Sequence, residues 1–326
     1  MKKTMQSLAL SCLLALMLGG CHEVGKTKKV PSTGALSEIF VVGSQAKWEG
    51  VIGDTLKAIF RTPYPVLNQY EPLFDLYHVT SYAGIINRSR NLLAYAVDPK
   101  YPQPQISAAY DVDAAPQIVV SMVGPSDSAV VRYVSEHRYE LQAIFELAER
   151  TRMLEQWKKG SVTLLTNKIR EKFNMHLPVP VGYTLGAEST DFIALVREHR
   201  LATQGFFIYS YPYTGREDFT MEALTARRDE FAARIISDAK DSHMITVTEY
   251  EPTLRHLRID GRYWAELRGF WDMANDFMGG PFLSYSTVDL ENQRMVTIDC
   301  YVYSPKNPKR NLMRQLENLV YAAELP

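Results

Sequence analysis

Arg268, Asp272, Asn275 and Asp276 fall at i, i+4, i+7 and i+8 within the stretch Gly261–Pro305. If Phe270 to Met278 is a short helix, that spacing gathers four polar side chains on one helical face. Trp264, Trp271 and Tyr285 would then stand beside them as an aromatic wall. A guanidinium, an amide and two carboxylates next to indole rings can bind a polar ligand. With Asp272, Asp276 or Glu71 as acid and base, the same chemistry extends to hydrolysis. Trp264, Arg268, Trp271, Asp272, Asn275 and Asp276 are therefore the candidate ligand-binding residues. The competing reading is a buried helix in which Arg268 and Asp272 pair locally to fix a turn, because structural networks perturb carboxylates as sites do.

Other chemistry is thinner. Tyr209-Ser-Tyr211-Pro-Tyr213 offers a second aromatic row for a glycan, although Tyr and Trp in strands commonly fill cores. Met278-Gly-Gly-Pro281 has amides for a phosphate but no following helix N-terminus and no P-loop frame. Ser44-Gln-Ala-Lys47 matches SxxK without the partner elements of that enzyme class, so Ser44 reads as a helix cap. The seven histidines form neither HxxxH nor HExxH, and there is no GxSxG or dinucleotide fingerprint. No metal and no cofactor is expected, and the catalytic set is left empty.

The elements that must position these residues follow from periodicity. Alternation at Tyr263–Arg268 predicts a strand, and Gly269 ends it. Phe270, Ala274 and Phe277 have helical spacing, with Gly279 as the left-handed stop and Pro281 preventing resumption. Phe282–Val288 and Met295–Tyr303 read as a hairpin around Asp289–Gln293. Upstream, strands are expected at 38–42, 73–80, 91–97, 117–123, 191–197, 205–213 and 244–249. The strands at 73–80 and 91–97 should pair as a hairpin, and 98–116 should be a proline-rich loop. Helices are expected at 46–61, 127–157 (with His137 on its apolar face), 162–173, 220–236 and 311–323. A helix, a Phe, two prolines and an acid before a Phe strand recur near Leu56–Phe74 and Leu165–Phe192, an echo of two related lobes.

The N-terminus addresses location. Lys2 and Lys3 precede an apolar run, Leu8–Leu18, too short for the roughly 20 residues of a membrane span, and the run ends Leu18-Gly-Gly-Cys21. This looks like a bacterial lipobox, in which Cys21 is diacylated and becomes the new N-terminus. Acyl chains contribute about 0.8 kcal/mol per buried methylene, enough together for a stable anchor. Removal of residues 1–20 takes Lys2 and Lys3 and moves the net charge from −1 to −3. No basic stripe suits nucleic acid, so the expected partners are the membrane, through the lipid, and an envelope protein or cell-wall glycan. Cys12 leaves with the signal and Cys21 is lipidated, so Cys300 has no disulfide partner and reads as a small buried hydrophobe.

Taken together, the lipobox, Gln69-x-Glu71-Pro72-x-Phe74-Asp75, Pro116-Gln117, Glu149-Arg150, Asp191-Phe192, Gln204-Gly205, Arg268-Gly269-x-Trp271, Phe277-Met-Gly-Gly-Pro-Phe282 and Lys309-Arg310 resemble a Bacteroidetes lipoprotein family known as domain of unknown function 4837. The resemblance spans essentially the whole mature chain. It implies location and fold relatedness, and no catalytic role. Lipoproteins of that group sent to the cell surface carry an acidic run after the lipidated cysteine. Here Lys26, Lys28 and Lys29 accompany Glu23 alone, which points to the outer membrane with the protein facing the periplasm.

The expected fold is α+β, with antiparallel sheets and helices packed on one face, in two lobes. The expected organisation is a signal peptide at 1–20, a tether at 21–36, and lobes at 37–160 and 161–326. The expected function is a non-catalytic binding or structural lipoprotein of the cell envelope. A glycan or small-ligand binder using its aromatic residues is the alternative, and a carboxylate-dependent hydrolase the least favoured.

Overall fold

The computed structural model describes residues 29–326, so Cys21 and the lipobox lie outside the described residues. Two sheets carry the α+β fold. The first is built from β1 (Glu38–Val42), β2 (Asp75–Val79), β3 (Asn91–Val97), β4 (Gln105–Tyr110) and β5 (Ile118–Gly124) in the order β2-β1-β3-β5-β4. Its pairs are parallel except β4 with β5. Helices α1 (Gln45–Trp48), α2 (Val51–Phe60), α3 (Asp127–Glu136) and α4 (Arg138–Lys159) complete this half.

The second half begins with α5 (Thr163–Phe173), followed by β6 (Thr184–Ser189), β7 (Phe192–His199), β8 (Ala202–Pro212) and α6 (Met221–Ala232). Next come β9 (His243–Thr246), β10 (Thr253–Ile259), β11 (Arg262–Ala274), β12 (Gly279–Asp289), β13 (Arg294–Tyr303) and α7 (Arg310–Val320). These strands form an antiparallel sheet in the order β9-β11-β12-β13-β8-β7-β6, and β10 pairs with the other half of β11. One core cluster runs beneath both sheets, from Ile39 and Phe60 to Ile298 and Leu316. A second lies on the opposite face of the larger sheet, where Leu224 and Phe231 of α6 cover Phe207, Tyr209 and Trp271.

Several local expectations are corrected. No helix follows Gly269: β11 runs unbroken to Ala274, because Ala265, Leu267, Trp271 and Met273 keep a period of two toward the α6 side. Pairing with β12 from Ala265↔Ser286 to Asp272↔Gly279 locks that register. The left-handed residue of the turn is Asn275, at φ 62°. Gly280 is required for a different reason: a Cβ there would lie 2.1 Å from the Val302 carbonyl oxygen. The 46–61 helix is split into α1 and α2, and the 127–157 helix breaks at His137, whose Nδ1 bonds the Tyr133 carbonyl at 2.9 Å. β3 does not form a hairpin with β2; it lies parallel to β1 and β5. The 98–116 segment contains β4. The echo between the halves is not a structural repeat, since one sheet is largely parallel and the other antiparallel.

The two halves are joined by α7. Its N-terminal N–H groups lack a local cap, and Glu71, from the first half, supplies one. The buried Glu71 carboxylate accepts from Lys309 N at 2.7 Å and Arg310 N at 2.8 Å. A negative charge at a helix N-terminus also complements the helix dipole. Arg310 returns the contact by donating to Pro72 O at 2.8 Å and Asp75 Oδ2 at 2.7 Å.

Candidate functional site

The structure distributes the six sequence-predicted residues rather than gathering them. On β11, Trp264 and Arg268 face the core shared by the two sheets, and Trp271 faces α6. Trp264 packs edge to face with Tyr285, centroids 6.4 Å apart. Trp271 does the same with Tyr301 at 5.4 Å, so no common wall of Trp264, Trp271 and Tyr285 exists. Asp272 is exposed, and its Oδ1 accepts from Met273 N at 2.9 Å. Asn275 donates to Asp241 O, and Asp276 accepts from Ser237 Oγ at 2.6 Å, a bond that holds its carboxyl below the usual range. Arg268 pairs with Glu266 and Glu317, not with Asp272. Glu71 is a helix cap. Glu71 and Asp276 are thus held by structural hydrogen bonds, while Asp272 stands exposed with one bond to the neighbouring backbone.

Tyr209 and Tyr211, also expected to form an aromatic row, lie buried under Phe231 of α6, with Tyr209 at 4.3 Å from its ring centroid. Only Tyr213 of that strand continues outward. It leads to a different row. Tyr213 packs on Phe219 (6.3 Å, 63°), Phe219 on Tyr263 (5.0 Å, 81°), and Tyr263 on His256 (5.6 Å, 12°). Tyr213, Phe219 and Tyr263 border a cleft of about 910 Å³ that Trp264, Leu290, Arg216 and Arg262 also line.

Each ring has a local cause. The Asp218 carboxylate accepts from Thr214 N at 2.6 Å and Gly215 N at 3.3 Å, which folds the single turn Arg216–Phe219 and presents Phe219. Thr220 then caps α6 through its hydroxyl. Tyr263 follows the two-residue turn Asp260-Gly261, with φ of 49° and 81°, that joins β10 to β11. Its hydroxyl bonds His256 Nδ1 at 2.7 Å, which fixes the ring. Arg262 donates to Val288 O at 3.0 Å and Leu325 O at 3.3 Å, seating the segment after α7 against the cleft. Sequence reasoning found Trp264 but missed Phe219, Tyr263 and Arg216. An Asp-Gly pair between alternating runs was the signal for the hairpin that builds this wall.

Two smaller cavities take Trp271 and Arg268. Trp271 lines an apolar cavity of about 380 Å³ with Met244, Met273 and Met278. Arg268 lines one of about 220 Å³ between the halves. There the Glu266 carboxylate is pushed up by burial, but the charge and hydrogen bonds of Arg268, with Tyr285 and Arg255, outweigh this and hold it at about 2. Among the described residues no group of three or more His, Cys, Asp or Glu is placed to hold a metal ion. No helix among them is long and apolar enough to cross a membrane. Cys300 is buried, and burial pushes its thiol up, which suits a core residue and not a nucleophile.

Residues 162–322 match the family model described as Domain of unknown function (DUF4837), and residues 32–158 match a different one, Domain of unknown function (DUF8532). The first family therefore does not extend over the whole mature chain. No curated protein matches. Among solved structures, the Saccharomyces cerevisiae Ran-binding protein Mog1p aligns over 46% of this chain and 89% of its own, at 11% identity and a TM-score of 0.31. Human STARD10 aligns over 47% and 77%, at 9% identity and a TM-score of 0.24. Human StAR-related lipid transfer protein 5 aligns over 53% and 93%, at 10% identity and 0.23. Scores of this size carry no functional argument. Through residues 162–322, the chain belongs to the family described as Domain of unknown function (DUF4837).

Proposed function

We propose that this chain is a lipid-anchored, non-catalytic binding protein of the bacterial cell envelope, tethered through Cys21, and that it holds a cell-wall glycan in the cleft beside Tyr263. The observation that carries this reading is the continuous row Tyr213–Phe219–Tyr263 along a cleft of about 910 Å³. That volume is in the range of small-molecule sites, roughly 300–1,000 Å³, which pair an apolar lining with a few placed polar groups. The C–H face of a sugar ring packs on an aromatic face. Its hydroxyls would reach Arg216, Asp260 and Arg262 on the rim. Tyr263 is 40% exposed, so its ring is available without unfolding anything. The lipobox supports the anchor, and the basic stretch after Cys21 supports a periplasm-facing orientation at the outer membrane. Calorimetric titration of the purified protein with soluble peptidoglycan fragments tests the ligand. Saturable binding that Tyr263→Ala abolishes supports the reading, and equal binding by the variant sinks it.

A further inference from the structure

The cavity of about 220 Å³ between the two halves has a chemistry of its own. Glu146 and Arg150 of α4 face it from one side. Arg268 of β11, Arg255 of β10 and Arg314 and Glu317 of α7 face it from the other. With Glu266 behind Arg268, four guanidinium groups stand against three carboxylates, so the site is formally cationic.

The pairing within it is uneven. Arg268 is engaged by two carboxylates: it donates to both oxygens of Glu266, at 2.9 and 3.2 Å, and to Glu317. Tyr64 closes the Glu317 carboxylate from the other side at 3.0 Å. Arg314 is different. Only 5% of its side chain is exposed, its Nη2 donates to Leu73 O at 3.0 Å, and the Glu146 carboxylate is 3.8 Å from that same nitrogen. Its Nη1 is buried and has no hydrogen-bond partner among the described residues. Arg150 engages Asn318 Oδ1 through Nε at 3.2 Å, with its guanidinium 3.4 Å from the centroid of the Tyr321 ring. Stacking of that kind leaves the guanidinium edge free to donate.

A buried guanidinium N–H without a partner costs free energy, and a cationic cavity with such donors is suited to oxygens that carry negative charge. We propose that this cavity binds a small oxyanion, phosphate or a carboxylate, between Arg314 and Arg150, and that the bound anion fastens the two halves together. The occupant must be small. The volume is about that of several water molecules at roughly 30 Å³ each, enough for an anionic group with a short substituent. Glu146 and Glu317 in the lining disfavour highly charged anions and set the preference toward one or two negative charges.

Two probes identify the class: inorganic phosphate and acetate, each titrated into the full chain at constant ionic strength, with chloride as control. The expected result is saturable binding of one probe with a rise in Tm, because a ligand that binds only the folded state stabilises it. Binding should weaken by about tenfold or more in Arg314→Met and in Arg150→Met. Arg150 is only partly buried, so Arg150→Met decides the matter if Arg314→Met fails to fold. Phosphate binding alone would assign a phosphoryl ligand, and acetate binding alone a carboxylate. Absence of saturable binding for both probes, or undiminished binding in Arg150→Met, overturns the proposal.

Discussion

Phe219 stands edge-on to Tyr263, ring centroids 5.0 Å apart and planes at 81°, although the two residues come from separate elements. The contact ties the turn before α6 to the start of β11 and makes one aromatic surface of both. Aromatic pairs of this geometry contribute about 0.5–1.5 kcal/mol beyond the area they bury. Phe219→Ala should therefore cost on the order of 2 kcal/mol in stability, because it removes a partly buried ring as well as the contact. Tyr263→Ala should cost less, since its ring is half in solvent. Urea denaturation of both variants checks the order.

The cap on α7 makes a sharper prediction. Glu71 accepts two backbone N–H bonds at that helix N-terminus, 2.7 and 2.8 Å long, from a site in the other half of the chain. Glu71→Gln keeps one acceptor and loses the charge. Glu71→Ala loses both acceptors and leaves buried donors unpaired. Losses of about 1–2 kcal/mol and about 3 kcal/mol respectively are expected. If Glu71→Ala unfolds at the same urea concentration as wild type, the capping role is wrong.

Acid titration should expose the Glu266 network. Its carboxyl is held at about 2 in the folded state against an ordinary value of 4.5. The unfolded chain therefore binds the proton first, and the stabilisation is complete above pH 4.5 and lost as pH falls toward 2. The interval corresponds to about 3 kcal/mol. Asp299, buried beside Arg228, behaves oppositely: burial lifts it from 3.8 to about 6, so its contribution falls as pH rises through that window. Below pH 3.8 Asp299 is protonated in both states and its opposing slope is gone, while Glu317, Asp191 and Asp289, also held below their ordinary range, add to the slope of Glu266. Stability measured between pH 2 and 3.8 should rise with pH in wild type and rise less steeply in Glu266→Gln.

The anchor is tested separately. Cys21→Ala should move the protein from the membrane pellet to the soluble fraction of lysed cells and abolish labelling by a radioactive fatty acid. Retention of label in that variant would remove Cys21 as the lipid site.

Local signals read well from the sequence where one short-range cause dominates. The β12–β13 hairpin around Asp289–Gln293, the helices α6 and α7 and the burial of Cys300 are all of this kind. The segment after Gly269 failed because Phe270, Ala274 and Phe277 fit a period of 3.6 while Ala265, Leu267, Trp271 and Met273 fit a period of two. Which one holds is decided by pairing with β12, a choice the single stretch does not contain. The pairing expected for β3 failed similarly: its neighbours are β1, with α1, α2 and β2 between them in sequence, and β5, with β4 between them, and not the preceding strand β2. Glu71 was noticed as a carboxylate, but its partners lie 238 and 239 residues away. Of the aromatic cleft only Trp264 and Tyr213 were anticipated. Phe219 comes from a turn and Tyr263 from a strand, and no linear spacing unites them.

The most direct measurement is isothermal titration of soluble peptidoglycan fragments into the wild-type protein and into Tyr263→Ala, with thermal melts of both. Saturable binding by wild type is expected, at least about tenfold weaker in the variant, with a Tm lowered by no more than a few degrees. Equal affinities in two folded proteins, or no binding of any saccharide by wild type, would contradict it.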